Sequence, residues 1–329
     1  MTSIEPTLDD IRSAHQRIKP FIHRTPVLTC TTLDKMIGGR LFFKCENFQK
    51  VGAFKIRGAS NAILSLSESE SIHGVVTHSS GNHAAALALA ARNKGIPAYI
   101  VMPSNAPAVK IAAVKNYGGR ITFCEPTLVA RETTAAAILA ETGATLIHPF
   151  NDYRIIAGQG TAALELLEEV SDLEVLLAPV GGGGLLSGTA IAAKAMASGI
   201  KVIGCEPKNA DDAYRSVQVG HIIPPVHPVT IADGLRTSLG DKTFPIIQKY
   251  VDEIALATEE EIVAAMRHIF ERMKIIVEPS SAVPLAALLS RKTLVAGKKV
   301  GIIISGGNVD FTQFFEQLLP KSPAAVARS

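Results

Sequence analysis

The chain has 329 residues, 47% of them hydrophobic but only 5% aromatic, with no tryptophan and a formal net charge of +3. That length suits two domains with a sizeable core, and the near-balanced charge, with no dense basic stretch, excludes nucleic acid and anionic membrane as expected partners. The longest uncharged run, 175–193, is broken by Pro179 and four glycines, so no membrane span is expected either.

Taken in chain order, Met1 to Pro6 lacks a basic region followed by an apolar core, so no secretory signal is read there. Predicted strands then fall at 41–43, 74–77, 98–102, 121–124, 145–147, 175–180, 201–205, 253–257 and 299–304. Small-residue helical segments lie between them, which favours βα units and mainly parallel sheets covered on both faces. Four cysteines, Cys30, Cys45, Cys124 and Cys205, have neither metal-ligand nor redox spacing and fit reduced core residues of a cytoplasmic protein. No internal repeat or low-complexity linker is found, and 320–329 reads as a frayed tail.

Four segments that follow or precede these strands carry chemistry. Residues 52–58, Gly-Ala-Phe-Lys-Ile-Arg-Gly, set Lys55 in an apolar context with glycine at each end. Desolvation penalises an ammonium, and the neutral amine is the form that condenses with a carbonyl, although a surface lysine at a helix start fits the same letters. Gly181, Gly182, Gly183 and Gly184 follow the apolar run 175–180 and open a small-residue helix. Amides at such a strand-to-helix turn form an anion site, whereas the glycines alone would equally suit a flexible turn; neither P-loop nor dinucleotide spacing is present. Ser79-Ser80-Gly81-Asn82-His83 opens a second small-residue helix, where plain capping explains part of the pattern. Ser305-Gly306-Gly307-Asn308 ends the last strand, at the sheet edge where open α/β sheets bind ligands.

With Thr25-Pro26-Val27, 44–49, 157–161 and Val277-Glu278-Pro279, these motifs resemble the fold type II (tryptophan-synthase-like) enzymes that use pyridoxal 5′-phosphate, and within them the serine racemase and threonine/serine dehydratase branch. The resemblance covers nearly the whole chain. It implies an α/β protein with two open, mainly parallel sheets wrapped by helices, a smaller domain (74–151) inserted into a larger one (1–73 and 152–329), and a homodimer. The chain ends soon after Ser305, so the regulatory domain of biosynthetic threonine dehydratases, and feedback inhibition through it, are not expected.

The same resemblance assigns roles. Lys55 would hold the cofactor aldehyde and serve as base for the substrate Cα proton. Gly181–Gly184 would cradle the phosphate, Phe54 pack beside the ring, Asn82 bond its 3′ oxygen and Ser305 partner the pyridine nitrogen. Ser80 matches the racemase acid/base on the face opposite the lysine, though an N-cap serine looks the same in sequence. Ser79, Ser80, Gly81, Asn82 and His83 would bind the substrate carboxylate. Arg131 matches an arginine that can swing toward it, or is simply a solvated helix arginine. Where racemases often carry asparagine after His-Pro, this chain has Phe150. Glu278 would lie near the cofactor, or at a helix boundary.

Glu206, the Ala210 carbonyl and Asp212 match a Mg²⁺ segment, which would also suit Ca²⁺ or Mn²⁺; a plain acidic loop is the alternative. Lys50, Lys110, Tyr117, Lys274 and Asn308 match parts of a site where ATP acts as activator, with Cys30, Thr31 and Thr32 preserving its hydroxyl pair imperfectly. The expected function is dehydration of L-serine or L-threonine to a keto acid and ammonia, with linked serine racemisation. Dehydration of 3-hydroxyaspartate is the alternative within the family, and an amino-acid-binding sensor the alternative outside it.

Overall fold

The computed structural model describes residues 5–79, 81–106, 108–226, 228–291, 295–310, 312, 314 and 315. Ser80 and the tail 320–329 therefore lie outside the described residues. The strands are β1 (Val27–Leu28), β2 (Arg40–Cys45), β3 (Val75–His78), β4 (Ala98–Pro103), β5 (Arg120–Cys124), β6 (Thr145–Leu146), β7 (Val175–Pro179), β8 (Lys201–Pro207), β9 (Glu253–Ala257) and β10 (Lys299–Ile304). The helices begin with α1 (Leu8–Ile18), α2 (Thr31–Ile37), α3 (Lys55–Leu64), α4 (Glu68–Ser71), α5 (Asn82–Lys94), α6 (Ala108–Asn116) and α7 (Leu128–Thr142). They continue with α8 (Tyr153–Glu169), α9 (Gly184–Met196), α10 (Asp212–Val219), α11 (Thr243–Tyr250), α12 (Glu259–His268) and α13 (Pro279–Leu289).

Two sheets form, in the orders β1-β2-β10-β7-β8-β9 and β5-β4-β3-β6. Every pairing is parallel except that of β1 with β2. The expected α/β architecture of mainly parallel sheets wrapped by helices is thus observed, and all nine predicted strands are present. Strand β1 was not predicted: two half-buried residues carry no alternation of their own, and β2 holds them in register. Among the described residues no helix is long and apolar enough to cross a membrane.

Both faces of the larger sheet are buried. Helices α2, α12 and α13 supply Leu33, Ile262 and Leu285 to one core, while α8, α9 and α11 supply Leu164, Leu186 and Ile247 to the other. That double covering is why β7 is apolar along its whole length. On the smaller sheet, alanine-rich α5 shares a core with Ile56, Ala59 and Ile63 of α3.

Helices α3, α8 and α9 meet backbone to backbone. A Cβ on Gly158 would stand 2.7 Å from the Arg57 carbonyl oxygen, and one on Gly188 would stand 2.4 Å from that of Ile156. No other residue fits at either crossing. Polar bonds hold the same contact: the Gly58 amide donates to Gln159 Oε1 (3.1 Å), and Asn61 Nδ2 donates to the Arg154 carbonyl (2.7 Å).

One turn into α3, Arg57 is fully buried. It bonds Glu46 through Nε and Nη2 (2.7 and 2.8 Å) and Glu165 through Nη1 and Nη2 (both 2.8 Å). Lys44 Nζ donates to Glu165 Oε2 (2.6 Å) and to the Thr25 carbonyl (2.7 Å). Two cations and two anions therefore cancel inside the core and tie β2, α3 and α8 together. Burial works against the Arg57 charge, but Glu46 and Glu165 outweigh it and hold the guanidinium protonated. Glu165→Gln should leave one buried cation uncompensated and cost about 3–5 kcal/mol of stability. Urea-unfolding midpoints read this; a loss below about 1 kcal/mol would contradict the cancelling arrangement.

Candidate active site

Ala53 bridges Gly306 just past the end of β10, and the Phe54 amide donates to the Ser305 carbonyl at 2.9 Å. These contacts dock the start of α3 on the carboxyl end of β10, so Lys55, its first residue, stands at that edge. Val51 before it takes φ +58°, rare for a β-branched residue, and its carbonyl accepts from Asn308 Nδ2 at 2.7 Å.

Lys55 Nζ donates to the Pro149 carbonyl at 3.0 Å and sits 5.1 Å from the Phe54 ring centre. The side chain keeps some surface open, yet its surroundings are dense enough that loss of hydration lowers the ammonium pKa to about 8, with Glu278 pulling the other way. A useful fraction of neutral amine therefore exists near neutral pH.

The residue after Pro149 packs on the glycine loop. The Phe150 ring lies where a Cβ on Gly182 would be, 2.3 Å from that position, and Gly184 packs on the Phe150 backbone. Gly183 has φ +87°. All four glycines are buried, and among the described residues no acceptor meets the amides of Gly182, Gly183, Gly184 or Leu185. Buried N–H groups without partners at a helix start are what an anion would satisfy.

Ser305 is buried at the end of β10, its Oγ 2.9 Å from Ser281 Oγ, which in turn donates to the Gly306 carbonyl and accepts the Gly306 amide (both 2.7 Å). Asn82, first residue of α5, donates through Nδ2 to both oxygens of Glu278 (3.0 Å each) and accepts at Oδ1 from Asn308 Nδ2 (2.9 Å). Glu278 occupies the N-cap position of α13 without a side-chain capping bond, and its carboxylate meets Asn82 instead. Burial raises its pKa to about 7, against the Asn82 bond. Ser281 was missed in the sequence because Pro-Ser-Ser after Glu278 looks only like a helix start.

The remaining predicted substrate residues gather less tightly. Ser79 Oγ accepts the Gly81 amide at 3.3 Å. His83 is buried, neither ring nitrogen meets a partner with hydrogen-bond geometry, and burial together with the Lys55 and His148 charges holds it well below the usual imidazole range, with the nearby Ile147 backbone opposing slightly. His148 Nδ1 accepts the amides of Phe150 (3.3 Å) and Asn151 (2.9 Å), which fixes the neutral tautomer with its proton on Nε2; burial, His78 and Lys55 lower its pKa to about 4. Arg131 lies on α7. Its Nε bonds the Thr127 carbonyl of its own helix (3.3 Å), close enough to His78 to depress that imidazole further than burial alone.

The cation segment begins in β8 with Glu206, which accepts the amides of Ala213 and Tyr214 (2.9 Å each). Among the described residues neither oxygen of the fully buried Asp212 meets a partner with hydrogen-bond geometry, its own backbone amide acting only to lower its pKa. Burial raises Glu206 to about 9 and Asp212 to about 7. Among the described residues no three His, Cys, Asp or Glu side chains are grouped to hold a metal, since this set has two carboxylates and a carbonyl. Four of the residues matched to a nucleotide site have side-chain partners within the chain: Lys110 pairs with Asp233, Lys274 donates to the Glu271 carbonyl, Tyr117 faces Arg92, and Asn308 bonds Asn82 and Val51.

Residues 18–306 match the family described as pyridoxal-phosphate dependent enzyme. The chain is 51% identical over 305 residues to a beta-hydroxyaspartate dehydratase of Paracoccus denitrificans (strain Pd 1222), covering 93% of this chain and 97% of that protein. It is 53% identical over 310 residues to a serine racemase of Dictyostelium discoideum, covering 93% and 96%. A solved maize serine racemase matches with a TM-score of 0.93 at 49% identity, covering 96% and 97%. The chain belongs to the pyridoxal-phosphate dependent enzyme family and has its fold type II architecture. The buried amine and the unpartnered glycine amides fit that cofactor's aldehyde and phosphate. Because the Glu278 carboxylate raises the pKa of Lys55, Glu278→Gln should shift the pH at which Lys55 becomes reactive downward. Mass spectrometry of the borohydride-trapped pyridoxal 5′-phosphate adduct at Lys55 across pH reads this; an upward shift, or none, would contradict the coupling.

Proposed function

We propose that this member of the family is an ammonia-lyase of small β-hydroxy amino acids, L-serine or L-threonine, releasing a keto acid and ammonia, with serine racemisation as a linked activity. The observation that carries it is the pairing of one desolvated amine with a buried, unpartnered amide cradle at the carboxyl edge of the larger sheet. When bound, pyridoxal 5′-phosphate supplies the electron-withdrawing ring that acidifies the substrate Cα–H. In this reading the amides of Gly181–Gly184 hold the phosphate, Phe54 flanks the ring, and Asn82 and Ser305 meet its oxygen and nitrogen. Lys55 Nζ, neutral in part near pH 7, takes the Cα proton. The hydroxyl of Ser305 is uncharged, so unlike a carboxylate it does not favour a protonated ring nitrogen, which suits elimination over transamination. Ser79, Gly81, Asn82 and His83 orient the substrate carboxylate at the start of α5.

Ser80 is the proposed proton donor from the face opposite Lys55. Incubation with L-serine, following pyruvate and D-serine together, tests this. Ser80→Ala should cut D-serine formation at least about a hundredfold while part of the pyruvate release survives. Equal loss of both products would remove Ser80 from that role. The dehydration of 3-hydroxyaspartate is the second reading, favoured by the similarity to the Paracoccus dehydratase, and its second carboxylate would need a positive partner, Arg131 or another pocket base turned inward. Rates on serine, threonine and both 3-hydroxyaspartate diastereomers separate the two: a clear preference for a hydroxyaspartate would displace the first reading.

We further propose a Mg²⁺, Ca²⁺ or Mn²⁺ ion at Glu206, the Ala210 carbonyl and Asp212, supported by the buried Asp212 carboxylate that lacks any partner. Both carboxyl pKa values lie above their ordinary range, so without a cation the contribution of these two groups to stability is fully present below about pH 4 and is lost as pH rises through about 7 to 9. Chelation should therefore lower Tm at pH 8 and leave it nearly unchanged at pH 4, and Asp212→Asn should abolish the cation-dependent part. A chelator effect equal at both pH values would count against the site. The proposal includes a cytoplasmic homodimer with a larger domain from 1–73 and 152–329 and a smaller one from 74–151. Activation by ATP would require Lys110 to leave Asp233 and Asn308 to leave Asn82.

A further inference from the structure

We propose that Thr243 is a positioning residue, a clasp that sets the direction of the Gly183 amide within the anion cradle. The inference rests on the reading of 181–184 as the cofactor's phosphate site. A run of four glycines has no side chains to select one peptide orientation, and each of its peptides can turn over at little steric cost. A cradle made of such residues needs its direction imposed from outside.

Thr243, the first residue of α11, is fully buried against the loop. Its Oγ1 donates to the Gly182 carbonyl at 2.9 Å, with the Gly240 carbonyl farther off at 3.2 Å, and it accepts the Gly240 amide at 2.9 Å. The carbonyl of Gly182 and the amide of Gly183 belong to one rigid, trans peptide plane and point in opposite directions. Drawing that oxygen toward Thr243 therefore drives the Gly183 N–H to the other side of the loop, where no acceptor among the described residues meets it. A second contact fixes the neighbouring α-carbon: a Cβ on Gly183 would come within 2.9 Å of Thr243 Cβ, Leu239 Cδ2 and Ile247 Cδ1. The clasp is itself held, since Ser187 Oγ of α9 donates to the Thr243 carbonyl (3.4 Å) and Asn151 Oδ1 accepts the Lys242 amide (2.9 Å). The Thr243 hydroxyl bonds Gly182 and Gly240, so its action on the cradle runs through the peptide it orients.

The test titrates the cofactor-stripped protein with pyridoxal 5′-phosphate and, separately, with pyridoxal, which lacks the phosphate, following visible absorption. Thr243→Val keeps the shape and removes the hydroxyl. It should raise the Kd for the phosphorylated form about tenfold and leave that for pyridoxal within about twofold. Thr243→Ser, which retains the hydroxyl, should restore wild-type binding. Equal weakening toward both compounds would mean a general packing role and overturn the clasp, as would unchanged binding of both. Should Thr243→Val fail to fold, the same comparison of the two compounds on Thr243→Ala decides. Wild-type protein that takes up no pyridoxal 5′-phosphate would defeat the functional reading itself, an outcome distinct from a variant that matches a binding-competent wild type.

Discussion

The close crossing of α8 with α3 on one side and α9 on the other is the constraint on which the site depends. Helix α3 begins with the reactive amine, and α9 begins with the glycine turn; α8 lies between them with only glycine at both crossings. Backbone contact allows little slack, so the starts of α3 and α9 are held relative to each other by the one helix between them. The charge-cancelling group around Arg57 adds a second lock between α3 and α8, within a turn of Lys55. Precision at the edge of the sheet is thus built from the interior outward.

Two kinds of buried polar group occur, and their difference separates scaffold from site. Around Arg57, Lys44, Glu46 and Glu165 each charge meets its opposite, and nothing is left for a ligand. In the glycine turn, at Asp212 and at His83, groups equally removed from water lack internal partners. Desolvating such groups without compensation is unfavourable by some kcal/mol each, which native interiors rarely tolerate unless a bound species completes them. The Glu278 carboxyl lies between these cases, satisfied by Asn82 and Asn308 yet shifted upward by burial.

Much of this was legible in the letters. Runs such as 175–180 and 299–304 are apolar because helices cover both faces of their sheet, and that pattern survives in sequence unaltered. Strand β1 was invisible because its pairing is supplied by β2. The glycine turn and the lysine motif could be read because each needs unusual residues in a row. The partners of those motifs could not: Thr243 follows Lys242 like any helix-opening threonine, and only the folded chain brings it against Gly182. Arg131 was read two ways, as an arginine able to swing toward the substrate or as a solvated helix arginine, and in this conformation its Nε bonds the Thr127 carbonyl. Ser80, the residue on which racemisation turns, lies outside the described positions.

The strand order places the last strand in the chain, β10, in the middle of the larger sheet, between β2 and β7. During synthesis both neighbours must wait with open, hydrogen-bonding edges until more than a hundred later residues have left the ribosome. The hydrophobic faces flanking the gap are exposed for the same interval, which is when mispairing and aggregation threaten a nascent chain. The carboxyl edge on which Ser305 and the start of α3 are set is therefore complete only once β10 has entered between β2 and β7.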